Sequence, residues 1–152
     1  MQTNQSKIDF NFIMPTFIFC IVGVFIPAFS AIFLFGIQML LTQLGIECSN
    51  AWTIIWTFTW AGMIILPLIF IIFLAKENHQ QERSLIVKLI LFNVLEYVFI
   101  QASLGSLMSS GKMVCYGKDG QNGLELILTA WISLPILFIF GLIFNYLWKR
   151  KD

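Results

Sequence analysis

Charge is what this sequence has least of. Of its 152 residues only 11% are Asp, Glu, Lys or Arg while 59% are hydrophobic, and a soluble domain carries roughly 25% charged residues. That shortage excludes a water-covered globule. The net charge of +1 supplies no global basic field, and no Lys/Arg patch interleaves with aromatics, which excludes nucleic acid as an expected partner. One histidine, His79, and three scattered cysteines give no familiar metal-ligand spacing. Neither a metal nor another cofactor is therefore expected.

The few charges divide the chain. None lies between Asp9 and Glu47, between Glu47 and Lys76, or between Glu125 and Lys149. A bilayer core takes about 20 apolar residues per helix, so the runs predict four spans, at about 14–42, 51–75, 85–108 and 125–148. The expected fold is all-α: a polytopic membrane protein with four transmembrane helices in an antiparallel bundle, one domain over residues 1–152. The first run is too long to stand upright, and Pro27 offers a bend; a turn near Gly36 is the alternative. Pro67 and Pro135 predict kinks. The polar start MQTNQSKIDFN and the long run behind it do not fit a cleavable signal peptide.

Lysine and arginine orient the spans. Lys7, Lys76, Arg83, Lys88, Lys149, Arg150 and Lys151 fall on the side of the two termini, and Lys112 and Lys118 on the other. Short-loop Lys/Arg bias then puts both termini in the cytoplasm. A bacterial inner membrane is the expected location, since the outward loops hold no N-x-Ser/Thr sequon. Trp52, Trp56 and Trp131 would mark the outer interface, Tyr146 and Trp148 the inner one.

This threading puts Cys48 and Cys115 alone in the two outward loops. Oxidising compartments let such thiols pair, so a Cys48–Cys115 disulfide is expected, while Cys20 reads as a packing residue. Membrane disulfide-transfer enzymes also have four helices, but they work with a Cys-x-x-Cys pair, and none occurs here. In the loop SSGKMVCYGKDGQNGLE, Met113–Tyr116 reads as a short extended piece, the glycines as turns, and Asn122 with Glu125 as a capping box.

The third span, SLIVKLILFNVLEYVFIQASLGSLMSS, is the least ordinary. At 100° per residue Asn93, Glu96, Tyr97, Gln101 and Ser103 share a face. An acid at the bilayer centre costs about 2.5–3.5 kcal/mol on insertion scales, so this polar stripe must face other helices or water. Ser30, Thr59 and Ser133 lie at comparable depth, and their hydroxyls would suit a protonated Glu96. FNVLEY resembles the Asn-x-x-Glu-Tyr pattern in the second helix of the membrane glutathione-transferase and eicosanoid-synthase family. The likeness covers three residues, stands on the third span, and has Leu89 where that family has an arginine. It implies a glutathione-dependent enzyme, for whose thiolate the membrane region supplies no arginine.

No nucleophile with its base and no matched acid–base pair is legible, so no catalytic residue is assigned. The expectation is a non-enzymatic membrane protein whose partners are the lipid bilayer and a second membrane protein, or further copies of itself. In layout it resembles the small polytopic immunity proteins that protect bacteria from pore-forming toxins, and accessory subunits share that layout. The alternative is an oligomeric ion or proton channel, or a transporter subunit, using Glu96.

Overall fold

The computed structural model describes residues 10–76, 82–116 and 124–150. Six helices follow one another: α1 Ile13–Phe25, α2 Ala28–Gln43, α3 Cys48–Lys76, α4 Glu82–Met108, α5 Gly111–Tyr116 and α6 Leu124–Arg150. No strand occurs among the described residues. Three helices are long and apolar enough to cross a membrane, and α1 with α2 makes a fourth crossing if the bent pair is one span. The exposed surface agrees with a lipid environment: Phe25, Ile32, Phe58 and Leu107 are each two-thirds or more exposed, a surface that water would not tolerate in contiguous patches.

The first span is sharply bent. α1 and α2 meet at 76°, at the proline where the sequence predicts a bend. Pro27 has no N–H to offer the carbonyl four residues back, and its ring obstructs a continuous helix. The amide of Ile26 turns instead to Gly23 O at 3.3 Å, and that of Phe29 to Ile26 O at 3.3 Å. Gly36 lies inside α2, so there is no turn at that position. α2 runs on to Gln43, and its stop signal is Gly45 at φ +89°. Gly45 N bonds Thr42 O and Ile46 N bonds Leu41 O, the paired bonds of a Schellman cap that reverse the chain into α3. Pro67 and Pro135 stand inside α3 and α6, each of which runs on through its proline.

The short α5 corrects one expectation. Met113–Tyr116 is helical, not extended. Ser110 decides it: its Oγ accepts from Met113 N at 3.2 Å and its carbonyl from Val114 N at 3.0 Å, so it acts as the N-cap of a new helix. The proposed capping box at Asn122 and the turn glycines 117, 120 and 123 lie outside the described residues, as does His79.

α4 is the central element. It packs against α1, α2, α3 and α6, and 56% of its most apolar stretch is buried, compared with 22% for α3 and 39% for α6. Two apolar clusters enclose it. Near the chain termini Phe70, Phe92 and Phe144 meet with ring centroids 4.7–4.9 Å apart. At the other end Leu34, Trp52, Ala102, Val114 and Leu126 form the second cluster. Trp52 and Trp148 are therefore not interfacial: both are almost fully buried, with Trp52 edge-on to Phe35 at 5.2 Å and Trp148 to Phe12 at 5.7 Å. Trp131 and Tyr146 do face outward.

Close helix approach uses glycine where a side chain would not fit. A Cβ on Gly141 would meet Thr16 Cβ at 3.0 Å, and one on Gly23 would meet Leu134 Cδ2 at 2.7 Å. Those two positions seat α1 on α6, since van der Waals contact between small residues drives helix association in lipid. Thr53, Thr57 and Ala61, a small-residue face at four-residue spacing, look outward on α3. The two threonine hydroxyls bond their own helix at Ser49 O and Thr53 O.

Candidate functional site: a polar column on the central helix

The five stripe residues of α4 are all inside the protein, Asn93, Glu96, Tyr97, Gln101 and Ser103 being at most 4% exposed. This follows from how α4 packs: Val87, Ile90, Leu91 and Val94 make its exposed face, and the stripe lies on the sides turned to the other helices. Two members cross to the bent first span. Asn93 Nδ2 donates to Thr16 Oγ1 on α1 at 3.4 Å. Gln101 takes a hydrogen bond from Ser30 on α2 through its carbonyl oxygen and gives one to Leu126 O on α6 through its amide. Gln101 thus ties three elements at one point. The α3 side is held by Trp60 Nε1, which donates to Ser106 Oγ at 2.8 Å.

Glu96 lies between these two ties and is fully buried. Neither of its oxygens has a hydrogen-bond partner. The hydroxyls expected to meet it bond elsewhere: Ser30 to Gln101, Thr59 to Trp56 O, and Ser133 to Ala130 O. The reason is local. A serine or threonine in a helix reaches its own backbone carbonyl three or four residues back at no cost in chain entropy, so equal depth is not contact. The hydroxyl of Tyr97, near Ser30, and that of Ser103 are also buried without a bond of their own. Lys88, the nearest cation in α4, is held near one helix end, its Nζ 3.9 Å from the Phe73 ring centroid.

The disulfide joins Cys48, the first residue of α3, to Cys115 in α5, with Cα atoms 6.1 Å apart. Gln38 Nε2 lies 3.3 Å from Cys48 Sγ, and Tyr116 donates to Glu47 Oε1 at 3.4 Å. Gly111 lies so close to this staple that an added Cβ would stand 2.7 Å from Ser49 O. Cys20 is the free thiol, its Sγ 3.5 Å from Leu134 O on α6.

Sequence reading missed Thr16, Gln38 and Asn145, all buried. Asn145 Oδ1 accepts from Phe12 N at 3.3 Å and fixes the entry to α1. Gln38 and Asn145 carried a usable signal, since each is an amide within an otherwise apolar run. Thr16 carried none, because a threonine in a helix can satisfy itself. Among the described residues no cluster of three His, Cys, Asp or Glu side chains could hold a metal ion. No protein-family model, no curated protein and no solved structure matches this chain.

Proposed function

We propose that this chain is a four-span inner-membrane protein that acts by binding another membrane protein through its helices. In this reading both termini are cytoplasmic and the disulfide-bonded cap of α5 faces out, with the partner either a toxin, as for an immunity protein, or the core of a complex that the chain serves as an accessory subunit. The single observation that carries partner binding is the outer face of α3. Thr53, Thr57 and Ala61, spaced four apart, make a small-residue ridge that the protein's own packing leaves exposed. Their hydroxyls are already satisfied within the helix, so the ridge can enter lipid or meet a backbone without an unpaired polar group. Small-x-x-x-small faces let two helices approach closely where no hydrophobic force separates protein from lipid. α3 is also the least buried of the three long helices.

Photo-reactive residues placed at Thr57 and Ala61 in native membranes should give one discrete protein adduct, and the same probe at Leu142 on α6 should not. Thr57→Leu should abolish the adduct formed from Ala61 while the helix content is retained. Equal labelling from both faces would remove the basis for the reading. Survival of a sensitive strain against a panel of pore-forming toxins then separates immunity from an accessory role.

A channel built from a ring of Glu96 in several copies gains less support. The carboxyl is enclosed within one chain, and a ring would need it at the surface between copies.

A further inference from the structure

The first span is hinged at Ile26 and Pro27, and its two halves hold α4 separately. α1 does so through Thr16 to Asn93 and through Phe19, whose ring lies 5.9 Å from that of Tyr97. α2 does so through Ser30 to Gln101. Glu96 falls between these attachments on α4. At the same seam an apolar cleft of about 220 Å³ opens to the side, lined by Phe19, Val22, Ile26, Phe29, Val94 and Tyr97 among others. α1 is more firmly held to α6 than to α4: Thr16 nests on Gly141, Cys20 reaches Leu134 O, and Trp131 Nε1 donates to Val24 O at 3.2 Å.

We propose that Glu96 is an internal proton-binding site that latches this seam. With its proton bound the carboxyl is neutral and α1 closes on α4. When the proton passes to hydroxide or a buffer base in water, the remaining carboxylate has no partner in the closed state and must be hydrated. The closed state therefore binds the proton more tightly than an open one, and by linkage removal of the proton favours opening. The seam between α1 and α4 is the place that yields. It already carries the cleft, its direct polar tie among the described residues is the long Asn93–Thr16 bond, and the hinge lets α1 pivot away from α4 while Gln101 keeps α2 and α6 on α4. In the middle of the helices packed here, the titratable groups are Cys20 from α1 and Tyr97 on α4 itself. α2 carries no charged residue, and those of α3 and α6 are confined to the helix ends. Along α4 the nearest cation, Lys88, lies eight positions before Glu96 and is held over the Phe73 ring. The inference is independent of the α3 ridge.

Cys20 reports on it directly, since it sits on α1, packs beside the cluster containing Tyr97, and is free while Cys48 and Cys115 are bonded. The full-length oxidised protein in nanodiscs of zwitterionic phospholipid is treated with N-ethylmaleimide, and the Cys20 alkylation rate is followed for wild type and Glu96→Gln. The wild-type carboxylate can only disfavour the thiolate and slow the wild-type rate, so a ratio that rises in favour of wild type is the readout. The ratio should be near one at about pH 6 and rise about tenfold in favour of wild type by about pH 9.5. A ratio that stays at one throughout overturns the proposal. Should Glu96→Gln lose its helix content, hydrogen–deuterium exchange of wild type decides. After correction for base catalysis, protection of residues 16–29 should fall with pH while that of α3 does not, and parallel behaviour of the two segments also overturns it.

Discussion

The indole of Trp131 donates to the backbone carbonyl of Val24, 3.2 Å away and 107 residues earlier in the chain. In a continuous helix that carbonyl would accept from Ala28, but the chain turns away at Pro27. A side chain of α6 therefore completes the backbone of α1. Broken helices persist at membrane depth when a neighbour re-satisfies the freed groups.

Trp131→Phe should lower stability by about 1 kcal/mol, since it keeps the ring but leaves Val24 O without its donor. Denaturant unfolding in mild detergent measures it. Trp60→Phe, which removes a bond to a serine hydroxyl on a straight stretch, should cost less.

Reduction of the Cys48–Cys115 bond should be far more damaging. The bond closes a loop across 67 positions, and the chain-entropy model assigns such a loop roughly 4 kcal/mol. A mobility shift between reducing and non-reducing gels checks that the bond forms. A lower unfolding midpoint in reductant checks its effect.

Gly111→Ala and Gly36→Ala should act in opposite directions. At Gly111 a methyl group would meet the Ser49 carbonyl at 2.7 Å. The adjacent disulfide restrains any shift there, so a loss of about 1–3 kcal/mol is expected, as for other overpacked sites. At Gly36, within α2, nothing lies within 4 Å. Alanine there should stabilise by up to about 1 kcal/mol through helix propensity. Thermal unfolding of the two variants against wild type reads both signs.

Gln101→Leu removes the tie between α2, α4 and α6. Hydrogen bonds between membrane helices average about 0.6 kcal/mol each, so losing two predicts a loss of about 1–2 kcal/mol. The change should be seen as faster exchange of the α2 amides and not of those in α3.

Reporter fusions at Tyr116 and at the carboxyl terminus should read oppositely, Tyr116 outside and the terminus inside. This tests the threading on which the inner-membrane proposal rests. Two identical readings would overturn it.

The apolar runs, the bend at Pro27 and the pairing of Cys48 with Cys115 were legible because each follows from composition or from a residue with a single conformational habit. Proline removes a donor wherever it stands, and two lone cysteines on one side of the lipid have only each other. What failed was partner choice. Ser30, Thr59 and Ser133 were matched to Glu96 by depth alone, and depth along a helix leaves its rotation and its local alternatives open. Thr53, Thr57 and Ala61 show the same limit. Their spacing declares a small face without saying whether it looks inward, and packing turned it out. Trp52 and Trp148 erred the other way, because an aromatic near a helix end satisfies either an interface or a core.

By itself, then, the amino-acid order determined that the chain forms long apolar helices, where they are interrupted, and that α4 carries an acid among amides and hydroxyls. Those properties are set by short-range chemistry: backbone groups must bond within the segment when lipid offers no water. Only the tertiary structure decided that α4 is the most buried of the three long helices, that Gln101 collects α2 and α6, and that both oxygens of Glu96 go without partners. Each of these depends on the rotation of one helix against another, which is set by side-chain fit across contacts distant in sequence, such as Thr16 on Gly141 and Gly23 on Leu134.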